Sequence, residues 1–273
     1  MRINTNLNAM IATNQMSKNT ALSGASMEKL STGLRINKAG DDAAGLAVSE
    51  KMRAQIRGME QAERNVQDGI SMVQTAEGAL EEAGNIAQRM RELGIQAGND
   101  TLASTDKAKI KSELNELQKE MGEIAKEAKF NGQELLTKKA ADATFTVRAG
   151  ANSEVREIKM TNLASIADDL SISSVNLSTV GDAQSFVKKI DDALEKINNG
   201  RANLGAMQNR LEYTANNLTT TTENLSAAES RIRDVDVAKE MVKLSKLNIL
   251  NQASQAMVSQ AKQQPESVSQ LLR

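Results

Sequence analysis

Cysteine, histidine and tryptophan are absent from this 273-residue chain. Without cysteine there is no disulfide scaffold and no thiol nucleophile, and without histidine the commonest general base and metal ligand is gone. Only four aromatic residues occur, Phe130, Phe145, Phe186 and Tyr213. Globular cores draw much of their buried area from aromatic rings, so this scarcity argues against one large globular core and for long, thin helical packing. The single proline, Pro265, leaves almost nothing to break a helix before that position. No run of about 18 apolar residues could span a membrane. The opening segment MRINTNLNAM also lacks the apolar stretch of roughly 7 to 15 residues found in secretory signals. Composition alone therefore suggests a cytoplasmic location.

Net charge is scarce too: 34 basic and 35 acidic residues leave −1. No global field draws nucleic acid or an anionic membrane, and neither is expected as a partner. Lys51, Arg53, Arg57 and Arg64 are interspersed with Glu50, Glu60 and Glu63, which makes a solvated helix face rather than a phosphate-binding patch. Carboxylate pairs such as Glu81-Glu82 and Asp191-Asp192 sit among Lys and Arg, with no apolar pocket to raise one pKa for acid–base work. No catalytic, cofactor-binding or metal-binding residues are assigned, and an enzyme is not expected.

The charges that are present avoid both ends. Residues 1–27 carry only Arg2 and Lys18, and residues 248–273 only Lys262, Glu266 and Arg273. Apolar residues nevertheless fall at helical spacing there: Ile3, Leu7, Met10 and Ile11 near the start, Leu247, Leu250, Met257, Ala261, Leu271 and Leu272 near the finish. Charge-poor, half-apolar helices need a partner to leave water. The many Asn and Gln of these ends, such as Asn14, Gln252 and Gln255, suit hydrogen bonds between subunits or a wet channel.

Between the ends the periodicity is mostly helical. A first helix is expected from about Asn4 to Leu34, ended by Lys38-Ala39-Gly40-Asp41-Asp42, where an aspartate can cap the next helix; this triplet reads as turn and cap rather than a metal site. From Ala43 to about Ala97 a seam recurs in steps of three and four, from Met52 through Val66, Val73, Leu80 and Ala87 to Met90. At 1.5 Å per residue this helix is about 80 Å long. Its interior glycines, Gly58, Gly69, Gly78 and Gly84, each cost about 1 kcal/mol relative to alanine and call for close neighbours. A third helix carries Ile110, Leu114, Leu117, Met121, Ile124 and Ala128, with Asn131-Gly132 read as its end and an antiparallel return as its path.

Residues 137–185 change character. Thr144–Val147 and 157–160 alternate with period two around Gly150-Ala151-Asn152-Ser153, which predicts a β-hairpin; Leu170, Ile172, Val175 and Leu177 suggest further extended structure. Beyond Asp182 a heptad stripe runs through Ile197, Leu204, Leu211, Leu218, Leu225 and Ile232. The companion positions three residues later are mostly small or polar, Gly200, Thr214, Thr221 and Ala228 among them, so this helix should bundle with the second and third. The expected fold class is mainly α: a long antiparallel helical hairpin or coiled-coil bundle with a small β-hairpin region in the middle of the chain.

Several of these segments resemble bacterial flagellins. The stretch LSTGLRINKAGDDAAGLA (30–47) is similar to the family's most distinctive segment, as are ESRIRDVDVAKEM (229–241), the start MRINTN and the finish Leu271-Leu272-Arg273. Phe130-Asn131-Gly132 and Leu204-Gly205-Ala206 extend the resemblance over nearly the whole chain. It implies a short form without large outer domains: 1–42 and 234–273 as two halves of an inner helical domain, 43–136 and 186–233 as two halves of a helical rod, and 137–185 as the variable part. It further implies a subunit polymerising with its own copies into the extracellular flagellar filament for swimming. Export would be unfolded, through a type III apparatus with no cleaved signal, which replaces the cytoplasmic expectation. Export chaperone, hook–filament junction and filament cap proteins would be partners. Gln88-Arg89-Met90-Arg91-Glu92-Leu93 with Glu113 is similar to the family pattern recognised by Toll-like receptor 5. The alternative is a cytoplasmic helical signalling hairpin of chemoreceptor type, which predicts continuous heptads and a membrane span.

Overall fold

The computed structural model describes residues 6–137, 144–152, 154–170, 172 and 179–271, with side chains to residue 263. Helix α1 spans Leu7–Thr32, its N-cap Asn6 accepting the Ala9 N–H at 3.0 Å. It stops at Gly33, whose φ of 71° is left-handed and costs glycine little. The two aspartates that follow divide their work. Asp42 caps α2, Ala43–Ala97, by accepting the Gly45 N–H at 2.9 Å. Asp41 accepts the Asn37 and Lys38 N–H groups at 3.1 Å each and lies 3.6 Å from the Lys29 ammonium. Those backbone donors, and then Lys29, hold its carboxyl below the ordinary range.

Helix α3, Ser104–Glu127, is shorter than its seam suggests. Asn131-Gly132 is not its end but the turn of a small hairpin joining β1, Lys129–Phe130, to β2, Gln133–Glu134. Both turn residues have positive φ, 50° and 77°, and a two-residue turn of that hand matches the twist of paired strands. The expected larger hairpin is β3, Thr144–Arg148, with β4, Val155–Lys159, in a register that pairs Phe145 with Ile158 and Val147 with Arg156. Leu170 is helical rather than extended. It ends α4, Leu163–Leu170, whose Leu163, Ile166, Ala167 and Leu170 are all buried. Ile172 is also buried, while Val175 and Leu177 lie outside the described residues. Helices α5, Val180–Arg233, and α6, Val237–Leu271, complete the chain; α6 continues through Pro265.

Two compact units result, one formed by Met1–Ala54 with Asn224–Arg273 and the other by Gln55–Glu223. Both divisions fall inside long helices, whereas the sequence suggested changes near 42 and 234.

In the second unit the seams of α2, α3 and α5 are buried together with Ile158 of β4 and the α4 residues. Gly58 and Gly69 have the close neighbours their cost demanded. A Cβ on either would lie 3.0 Å from a side-chain carbon of the β3–β4 hairpin, Ala151 Cβ or Val147 Cγ2. Gly78 has no such neighbour, and Gly84 has only ordinary contact with Ile197. Gln118 of α3 ties in α4 by donating to the Ala167 carbonyl at 2.8 Å and accepting the Ile172 N–H at 3.3 Å. Ion pairs Arg91–Asp191 and Arg89–Glu113 join α2 to α5 and to α3.

In the first unit the α1–α2 loop and the α5–α6 connection are stitched by backbone hydrogen bonds, Arg35 N–H to the Arg233 carbonyl and Val235 N–H to the Gly33 carbonyl. Arg233 is largely buried and pairs with Glu50, while Arg53 pairs with Glu229 at 3.2 Å.

Candidate assembly interface

Helices α1 and α6 pair antiparallel, because Asn6, Asn19, Thr20 and Ser23 meet Ala261, Ser254, Asn251 and Asn248 in reverse order. The α1 residues that face α6 are Ala12, Met16, Asn19, Ser23 and Ser26, spaced alternately by four and three. Asn19 is 5 % exposed and Ser26 1 %. From α6 the matching row is Leu244, Leu247, Asn251, Ser254, Val258 and Ala261. This is coiled-coil geometry filled mostly with small and polar side chains. Hydrogen bonds cross it from Asn19 to Ser254 at 3.4 Å and from Ser23 to Asn248 at 3.3 Å. At one end Glu240 faces Ser26, whose hydroxyl, ahead of Lys243, keeps the carboxyl below its ordinary range.

The apolar residues are on the outside. Leu7 and Ile11 are each 59 % exposed, Met257 64 % and Val242 71 %, and Met10, Leu22, Ile249 and Leu250 are exposed with them. Polarity is thus inverted relative to an ordinary helix pair, which buries its apolar stripe and solvates its polar one. An open groove of about 550 Å³ runs between the helices on one flank, lined by Ile11, Ala12, Gln15, Leu250 and Met257 among others. Fully covering a Leu, Ile, Met or Val side chain stabilises by about 1.5–3 kcal/mol. Contiguous exposed apolar surface of this kind marks an interaction site.

The residues singled out from sequence divide accordingly. Leu7, Met10, Ile11, Leu250 and Met257 face outwards, and Ala261 is half-buried. Leu247 is a correction. At 7 % exposure it lies in the α1–α6 seam, because it sits three residues from Leu244 and four from Asn251 on one heptad row. Ile3 and Leu272 lie outside the described residues, and of Leu271 only the backbone belongs to them. Asn14, Gln252 and Gln255 are exposed, whereas the amides that bridge the helices, Asn19, Asn248 and Asn251, were not singled out. Their signal was the alternating spacing of Ala12, Met16, Asn19, Ser23 and Ser26, which a search for apolar stripes passes over.

On α5, Ile197, Leu204, Leu211 and Leu218 are buried, while Leu225 and Ile232 are half-buried. Of the α2–α3 patch, Gln88, Arg89 and Glu113 are exposed, and the Arg89 guanidinium bridges Glu92 and Glu113 at 3.1 Å each. Leu93 does not belong with them. It is 2 % exposed, because it continues the inward seam of Ala83, Ala87 and Met90. Beside it, a Cβ on Gly94 would meet Val187 at 3.1 Å and Phe186 at 3.3 Å, so the glycine makes room for α5.

Among the described residues no helix is long and apolar enough to cross a membrane, and the β3–β4 hairpin interrupts the heptads. The signalling-hairpin alternative required both features and is not supported. Residues 3–141 match the model of the bacterial flagellin N-terminal helical region, and residues 187–272 that of the C-terminal helical region. A flagellin of Halalkalibacterium halodurans is 52 % identical over 274 residues, with all of both chains covered. One of Bacillus subtilis is 47 % identical over 307 residues, again with full coverage of both. The crystal structure of Bacillus cereus flagellin is 32 % identical, with a TM-score of 0.50, covering 61 % of this chain and 94 % of that one. With both helical regions matched in order around a short β-containing middle, the chain belongs to the bacterial flagellins.

Proposed function

We propose that this chain is the structural subunit of an extracellular flagellar filament and polymerises through the outer faces of α1 and α6. The observation that carries this reading is the inverted polarity of that helix pair. A monomer gains nothing from leaving Leu7, Met10, Ile11, Leu250 and Met257 in water, whereas neighbouring copies can cover them. Assembly is then coupled to ordering of the ends, and the seam supplies the geometry while the outer face supplies the free energy. Family membership supports export through the flagellar type III route, with an export chaperone, hook–filament junction and filament cap proteins as partners. The role is mechanical, with swimming as its outcome.

Changing Ile11, Leu250 and Met257 together to Gln leaves the seam intact. The expected result is a monomer of unchanged helical content that fails to polymerise when seeded, followed by light scattering and cryo-electron microscopy. Filaments of normal length from this variant would overturn the assignment of the outer face.

The exposed ion pair Arg89–Glu113, with Gln88 beside it, supports a second surface, the patch recognised by Toll-like receptor 5. Arg89→Glu reverses the charge facing Glu92 and Glu113. It should lower signalling in receptor-bearing reporter cells at least tenfold while filaments form normally; undiminished signalling would remove Arg89 from the patch.

A further inference from the structure

A proline inside a helix brings no N–H, so the carbonyl four residues earlier loses its usual donor. In α6 the proline is Pro265 and the carbonyl is that of Ala261. Asn6 fills the gap. Its Nδ2 donates to the Ala261 oxygen at 2.6 Å, while its Oδ1 accepts the Ala9 N–H at 3.0 Å. One amide therefore caps the start of α1 and replaces the hydrogen bond that Pro265 removed from α6. An interior proline is strongly unfavourable in a helix, and this one is the only proline in the chain.

The rest of the α1–α6 seam defines its register weakly. It is made of Ala, Ser, Asn and a few larger residues, and its side-chain hydrogen bonds are long, between 3.3 and 3.5 Å. A slip of one heptad keeps the alternating spacing and moves every outer apolar residue about 10 Å along the pair. What such a slip cannot keep is the Asn6 contact. Seven residues earlier the carbonyl belongs to Ser254, which already has the Val258 N–H as its helical donor.

We infer that Asn6 and Pro265 form a register lock: the proline creates one carbonyl on α6 that lacks a helical donor, and the Asn6 amide reads it, selecting the α1–α6 alignment that presents the outer apolar face to neighbouring copies. The inference rests on the assembly reading above for its purpose, though not for its geometry.

Asn6→Asp separates the two hydrogen bonds, since a carboxylate still caps α1 but has no proton to donate and repels the Ala261 carbonyl. In the Pro265→Ala background the backbone N–H restored at position 265 reclaims that carbonyl, and Asn6→Asp should then be nearly neutral. The absence of native cysteine makes register directly readable by disulfide trapping in the full chain. Ser23→Cys with Asn248→Cys reports the observed register, and Ser23→Cys with Met241→Cys reports the slip of one heptad that would bring Asn6 opposite Ser254. With Asn6 and Pro265 in place, only the first pair should cross-link. Asn6→Asp should bring up the second and raise the critical concentration for polymerisation roughly 3- to 10-fold, with circular dichroism unchanged. Equal effects of Asn6→Asp in both backgrounds, or an unaltered cross-linking pattern, would overturn the lock. Failure of the unsubstituted chain to polymerise would instead overturn the assembly reading, while the cross-links still report on the lock.

Discussion

Deletion of residues 248–273 is expected to abolish polymerisation and to unfold a helix that it does not touch. The deletion removes most of α6, and with it Asn248, Asn251, Ser254 and Ala261, the partners that α1 meets across the seam. Left alone, α1 is a 26-residue segment rich in Asn, Ser and Thr, with no acidic residue in its first turn to complement the helix dipole. Such residues compete with the helical backbone, and isolated helices are marginal even in alanine-rich sequences, so tertiary pairing supplies most of the stability of α1. Relative to the assembled full chain, circular dichroism of the truncated chain should therefore lose about twice the helical signal that the deleted residues account for. The second compact unit, Gln55–Glu223, has its own core and should melt unchanged. Retention of helical signal in α1, or filaments grown from the truncated chain, would show that the terminal helices do not depend on each other.

The second large effect concerns that core. Phe186 is 1 % exposed and heads the fully buried side chains by volume, in a chain with only four aromatics. Its ring packs against α2 where Gly94 leaves space: a Cβ there would approach the ring at 3.3 Å. Phe186→Ala leaves a cavity that α2, facing it at Gly94, cannot collapse into without shifting a long helix as a whole. The expected loss is about 3–5 kcal/mol, read as a fall of roughly 6–20 °C in the melting temperature of this unit. Polymerisation should survive below that temperature, because α1 and α6 lie in the other unit. A loss under about 1 kcal/mol would mean that the Phe186 site is loosely packed and the core is centred elsewhere.

Much of this architecture was legible in the residues. The seam from Met52 to Met90 and the aspartate cap before Ala43 predicted α2, which spans Ala43–Ala97, and period-two alternation placed the β3–β4 hairpin within a residue or two. Long elements are legible because many residues repeat one spacing, and each repeat adds to the signal. Short ones are not. Strands of two residues, as in β1 and β2, have no period, so Asn131-Gly132 could be read as a helix end as well as a turn. Residues 163–170 form barely two helical turns, and Leu170 followed by Ile172 imitates a strand.

The candidate site divides along another line. The want of charge at both ends, the apolar spacing of Leu7, Met10 and Ile11, and the need for a partner all follow from side-chain chemistry and helical period alone, and no folded structure could change them. Which stripe turns inwards does not follow from them. A helix carries several stripes at alternating spacing of three and four, and preference for burial would have placed Ile11 and Leu250 in the seam. Pairing of α1 with α6 instead buried Asn19, Ser26 and Leu247 and left the larger apolar residues outside. The reason is that facing is a property of two helices at once: contacts 225 to 255 residues apart, such as Ser23 with Asn248 and Asn6 with Ala261, set it. Period along one chain segment contains no information about the other. The same holds for Leu93: the periodic seam runs through Met90 and Leu93 of a motif whose other residues are exposed, and only packing against α5 decided which of its residues the solvent meets.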